Sequence, residues 1–131
     1  MKTILTAAAT ILALAAPALA EGDADKGAKE FRKCKACHKL EDGAKSTVGP
    51  NLYGVMDRTA GTLDGYKYSS SMVEAGEAGL VWTAETLAAY LPDPSSYLKE
   101  VTGDDGAKSK MAAQRIKSAE DIAAYLSSVV E

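Results

Sequence analysis

The sequence predicts an all-α fold of several short helices and long loops wrapped around one large cofactor. Three observations predict it. Segments with helical apolar spacing and capping residues alternate with long Gly-rich stretches, and no run alternates apolar and polar residues as a half-buried strand does. Aromatic residues make up only 6% of the chain, with one Trp and one Phe, so a core built of protein alone is short of the side chains that bury most area. Loops this long in a small domain also need something to wrap around.

The first twenty residues read as an export leader. Lys2 supplies the charge, Ile4 to Ala16 the apolar region, and Ala18-Leu19-Ala20 the small-residue cleavage pattern, with Pro17 just before it. We therefore expect residues 1–20 to be a cleaved signal peptide and 21–131 to form a single domain. The alternative, an uncleaved N-terminal anchor, fits less well because the apolar run is short and Ala-rich. No later stretch approaches the roughly 20 apolar residues that a span requires.

From Asp23 to Lys33 the chain is rich in Ala, Lys and Glu, with Phe31 four residues after Gly27. This predicts a short helix whose small residue lets another helix approach closely. It leads into a Cys motif, after which Lys39 to Asn51, with Gly43, Gly49 and Pro50, reads as a loop. Leu52 to Val81 carries five glycines and reads as mostly loop, with one short helix near Ser71 to Glu77. Thr83 is placed to cap a helix carrying Leu87, Tyr90 and Leu91 until Pro92 interrupts it, and Pro94 opens a second short helix through Tyr97 and Leu98. Gly103-Asp104-Asp105-Gly106 forces a turn. Ser118 with Asp121 then resembles a capping box, and Ile122, Tyr125, Leu126, Val129 and Val130 form the apolar stripe of a last helix.

The precursor carries 15 basic and 18 acidic side chains, net −3. Losing Lys2 with the leader makes that 14 against 18, net −4, which disfavours nucleic acid as a partner. Two cysteines in an exported chain ordinarily suggest a disulfide. Here they stand as Cys34-Lys35-Ala36-Cys37-His38. Cys-x-x-Cys-His is the attachment pattern of c-type haem: the thiols add across the haem vinyl groups and the adjacent imidazole serves as proximal axial ligand of the iron. Zinc wants four ligands, and this chain has two Cys and one His. A thioredoxin-like pair expects a strand before the motif, and a structural disulfide leaves His38 unexplained.

With His38 the only His, a second axial ligand must be another residue type, and Met thioether suits a high potential. Met56 follows the Gly49-Pro50-Asn51-Leu52 turn beside Val55, and Met72 adjoins a Ser run at a predicted helix start, so both read as packing. Met111 sits in the polar loop Lys108-Ser109-Lys110-Met111-Ala112 and is the candidate ligand.

These residues together resemble the class I c-type cytochromes, of the bacterial cytochrome c2 type, over essentially the whole mature chain. The resemblance rests on Gly27 and Phe31, Cys34 to His38, Gly49-Pro50-Asn51-Leu52, Arg58, Tyr66 and Tyr68, Trp82, Leu87 with Tyr90-Leu91, Tyr97, Lys110-Met111, and Ile122 with Tyr125-Leu126. It implies a small cytochrome c fold with crossing N- and C-terminal helices around one haem c, held covalently by Cys34 and Cys37, with His38 and Met111 on the iron. It further implies that Pro50 packs on His38, that Arg58, Tyr68 and Trp82 hydrogen-bond a haem propionate, and that Tyr90 lies near the ligand sulfur. Without the resemblance, Trp82 and Tyr90 read equally as core and Arg58 as a solvated charge. Two departures stand out: Ala113 where many relatives have Phe at the haem edge, and a Lys99–Ala107 stretch longer than in mitochondrial relatives.

The implied function is that of a soluble, monomeric periplasmic electron carrier, not an enzyme. The implied partners are a quinol-oxidising membrane complex as donor and an oxidase, photosynthetic reaction centre or dehydrogenase on the other side. Lys33, Lys35, Lys39 and Lys45 cluster near the motif and Lys99, Lys108, Lys110 and Lys117 flank the Met loop. Lys33, Lys35, Lys39, Lys108 and Lys110 are the candidate docking face for acidic redox proteins, against the plainer reading that they only solvate the surface. The rival functions are a haem enzyme or gas sensor with an open iron position, and a binding module without haem.

Overall fold

The computed structural model describes residues 22–130, so the expected leader at 1–20 lies outside the described residues. Among the described residues five α-helices carry the fold, and local capping chemistry starts each of them. Helix α1 (Ala24–Phe31) begins at Asp23, whose carboxylate accepts the amides of Asp25 and Lys26. A 3₁₀ turn, Arg32–Ala36, continues it into the Cys motif. Helix α2 (Ser70–Glu77) starts on the Ser69 hydroxyl, and α3 (Ala84–Tyr90) on a reciprocal box between Thr83 and Thr86.

Helix α4 (Pro94–Thr102) is capped by Asp93 and has Pro94 in its first turn. It runs one turn beyond the expected end near Leu98, because nothing from Lys99 to Thr102 breaks it until Gly103 closes it in the left-handed region at φ 71°. The unusual length at Lys99–Ala107 is thus partly helix. Helix α5 (Ala119–Ser128) starts where Ser118 accepts the Asp121 amide, and ends before Val130, which is exposed. An isolated antiparallel bridge among the described residues, Thr59 with Val81, ties the Gly-rich region together.

Helix α1 crosses α5 at a contact only glycine permits. A Cβ on Gly27 would lie 1.9 Å from the carbonyl oxygen of Asp121. Phe31, 1% exposed, packs its ring 5.5 Å from that of Tyr125. The two helices also cap each other: the Glu30 carboxylate accepts the amides of Lys117 and Ser118 at the start of α5, and Asp121 accepts the amide of Asp23 at 2.7 Å. Helix α3 leans on α5, and α2 on α4. Among these elements the buried side chains form one cluster around an open interior.

Candidate functional site

The Cys motif closes on itself. The amides of Cys37 and His38 both donate to the carbonyl of Cys34, at 3.2 and 3.0 Å, which brings both thiols and the imidazole to the wall of one cavity. Both thiols are free. Burial pushes the Cys34 thiol above its ordinary value, and the Lys33 ammonium pulls the other way with less effect. A redox cysteine needs the opposite, an easily formed thiolate.

His38 is held from behind by the Gly49-Pro50 turn. Its Nδ1 lies 2.8 Å from the Pro50 carbonyl, an acceptor only, so Nδ1 carries the proton and Nε2 keeps its lone pair. Burial lowers the pKa of the ring, which keeps it neutral and fit to ligate a metal. The Gly49 amide donates to the Cys37 carbonyl at 2.8 Å, and the Thr47 hydroxyl donates to the same oxygen at 3.2 Å. Asn51, buried, organises the loop behind: its Nδ2 donates to the carbonyls of Glu41 and Ala44, and its Oδ1 accepts the Tyr53 amide.

The cavity has a volume of about 400 Å³ and a mostly apolar wall, within the range of small-molecule and cofactor sites. Pro50, Arg58, Tyr68, Trp82, Tyr90 and Met111 all line it, together with Cys34, Cys37 and His38. Met72 lines it as well, from the first turn of α2, whereas Met56 packs partly against the core. Trp82 meets Tyr90 edge-on at 4.9 Å, and Tyr66 meets Tyr68 at 4.8 Å. Arg58 uses Nη1 on the Tyr53 carbonyl at 3.3 Å and Nη2 on the Asn51 carbonyl at 3.5 Å, which leaves guanidinium donors over for an anion.

The loop that carries Met111 is pinned by hydroxyls. Ser71 and Ser95 accept the amides of Lys108 and Ser109, each at 3.0 Å. The Ser109 hydroxyl accepts the Met111 amide at 3.1 Å and lies 2.7 Å from the Tyr90 hydroxyl. Sequence reasoning placed Tyr90 by resemblance and missed all three serines, since nothing local distinguishes them from surface hydroxyls. At the rim, Lys33 donates to the Arg115 carbonyl and Lys110 to that of Lys67. Both line the cavity mouth, and Lys35, Lys39 and Lys108 are exposed. Ala113 is exposed and does not line the cavity, while its neighbours Ala112 and Gln114 do.

These features fit a covalent haem. Two free thiols and a neutral imidazole share one apolar cavity reached by side chains from Phe31 to Leu126, so a large apolar group seated there completes the core. The family described as Cytochrome c matches residues 24–129. The chain is 51% identical to the cytochrome c2 of Rhodobacter capsulatus over all of both chains, and 48% identical to the cytochrome c-551 of Roseobacter denitrificans over 92% of this chain and 93% of that one. The solved structure of the Rhodobacter capsulatus cytochrome c2 superposes with a TM-score of 0.76 at 50% identity, covering 84% of this chain and all of that one. Ferric cytochrome c-550 from Paracoccus versutus superposes equally well, at 0.76 with 41% identity over 85% of this chain and all of that one. The chain belongs to the cytochrome c family: it carries one haem c, joined through its two cysteines, Cys34 and Cys37, and it is an electron carrier, not an enzyme.

Proposed function

We propose that this protein is a periplasmic carrier that shuttles single electrons between membrane redox complexes, with His38 and Met111 as the two axial ligands of its iron. The supporting observation is that one cavity holds His38, with its tautomer set by Pro50, and Met111, on a loop pinned through Ser109 beside Tyr90. The bound haem supplies one-electron exchange at its iron. The chain's own residues do the rest. His38 and Met111 leave no coordination position for a substrate. The apolar wall excludes water and so penalises the more highly charged oxidised state, which favours a positive potential. Arg58, with Tyr68 and Trp82, offers donors to a propionate.

Residues 1–20 act in this reading as a leader removed after Ala20, and 21–131 as one domain. Among the described residues no helix is long and apolar enough to cross a membrane. The proposed positive docking face is Lys33 and Lys110, which line the cavity, with the exposed Lys35, Lys39 and Lys108, on a monomer whose net charge is negative. A quinol-oxidising membrane complex is the proposed donor, and an oxidase, photosynthetic reaction centre or dehydrogenase the other partner.

Absorption spectra of the purified protein in both redox states test the ligation. The oxidised protein is expected to show a sulfur-to-iron band that Met111→Ala removes and Met72→Leu retains. Fast carbon monoxide binding by the unaltered protein, with no such band, would instead support an open-site sensor or enzyme. Mass spectrometry of the exported protein tests cleavage after Ala20.

A further inference from the structure

We infer that Ser71 and Ser95 are positioning residues for Met111, holding its sulfur in register from two different helices. The inference rests on Met111 being the second axial ligand. From Gly103 to Ser118 the chain has no helix and no strand, so its amides lack a regular backbone ladder. Four main-chain hydrogen bonds anchor this stretch, from Gly103 to Lys99, from Ala107 to Asp104, from Gln114 to Leu91 and from Ile122 to Ser118. Between Ala107 and Gln114, where Met111 sits, hydroxyls take over.

The order of those contacts gives them their meaning. Two consecutive amides, Lys108 and Ser109, donate to Ser71 of α2 and Ser95 of α4. The next hydroxyl, on Ser109, accepts the amide of Met111 and meets Tyr90 of α3. Ser71 is buried, with 9% of its surface exposed, and it is one of two buried polar residues among those described. A buried hydroxyl is retained against its desolvation cost only where it is satisfied, and here its partner is the loop amide. The Lys108 amide fixes the loop to α2 and the Ser109 amide fixes it to α4, so Met111 is set two residues beyond a double anchor. Removing both hydroxyls leaves Lys108 and Ser109 without these partners and frees the register of the residue that bears the sulfur.

Ligand exchange on the oxidised holoprotein reads this directly. Added imidazole replaces a thioether on ferric iron: the iron–sulfur bond breaks, an iron–nitrogen bond forms, and no electron moves. Ser71→Ala and Ser95→Ala are each expected to tighten imidazole binding several-fold. The double variant is expected to tighten it tenfold or more, taking roughly 1 kcal/mol for each lost hydrogen bond. Ser95→Thr, which keeps the hydroxyl, is expected to restore the original affinity. As a control for general destabilisation, Asp23→Ala removes the carboxylate that caps α1 by accepting the amides of Asp25 and Lys26, away from the Met111 loop, and is expected to leave imidazole affinity unchanged.

A band present in the unaltered protein, with imidazole affinity the same in the double variant, would overturn the positioning role while sparing Met111. Equal tightening in Asp23→Ala would overturn it as well, by showing that lost stability alone loosens the loop. No sulfur-to-iron band in the unaltered protein would overturn Met111 as ligand and this inference with it.

Discussion

Gly49 lies against the imidazole of His38: a Cβ at that position would sit 2.5 Å from Cε1 and 2.7 Å from Nδ1. The next residue, Pro50, supplies the carbonyl that Nδ1 binds. A methyl group here must push either the ring or the turn away, and both are tied, the turn by the Gly49 amide on Cys37. Gly49→Ala is therefore expected to cost about 1–3 kcal/mol, as overpacking of a tight site does, and to lower the yield of covalent haem. The alkaline pyridine spectrum measures that yield per protein. An unchanged yield and an unchanged denaturation midpoint would contradict the contact.

Glu30 joins the two terminal helices through the amides of Lys117 and Ser118. A carboxylate at a helix N-terminus gains from charge-assisted hydrogen bonds and from the helix dipole. Glu30→Ala is expected to lower stability by about 1–2 kcal/mol. In guanidinium titrations the midpoint falls and the slope stays constant, because the same surface is exposed on unfolding.

Asp57 holds φ at 65°, the one described non-glycine residue in the left-handed region, and its amide donates to the Trp82 carbonyl at 2.7 Å. Asn tolerates this conformation and a β-branched residue does not. Asp57→Asn is expected to change stability by less than about 0.5 kcal/mol and Asp57→Val to cost more than about 1 kcal/mol. Thermal unfolding of the pair measures the difference.

Asp93 caps α4, and hydrogen bonds from the Ser96 hydroxyl and amide hold its carboxyl below the ordinary 3.8. A carboxyl depressed on folding adds stability that is present above its unfolded pKa and is lost as pH falls through the lower folded one. Asp93→Asn keeps a cap and removes the titration. The stability difference between the two proteins is expected to be constant near neutral pH and to diminish on acidification below the ordinary carboxyl value. Denaturation midpoints over an acid series measure it. A difference independent of pH would contradict the depressed carboxyl.

The proposed docking face predicts a rate that depends on salt. Electron transfer to an acidic redox protein is expected to slow as ionic strength rises, and Lys33→Gln or Lys110→Gln is expected to flatten that dependence. Stopped-flow rates across a salt series measure both.

The starts of α3 and α5 were legible because capping acts over three residues, Thr83 on the amide of Thr86 and Ser118 on that of Asp121, and the start of α4 because Pro94 fits a first helical position. The Cys-Lys-Ala-Cys-His run was legible for the same reason, since covalent attachment needs its groups adjacent in sequence. The end of α4 was less so, because the stretch from Lys99 to Thr102 has no strong signal until the Gly103 turn.

What the sequence by itself determined was therefore the cofactor, its attachment and the order of the helices. Only the tertiary structure decided which polar group answers which: Ser71 meets Lys108 across 37 residues and Glu30 meets Ser118 across 88. Gly49 as the support of the His38 ring belongs to the same class. A serine or glycine carries no mark of its distant partner. Its role arises when the loops close and a buried amide, cut off from water, must find the acceptor that packing has placed beside it.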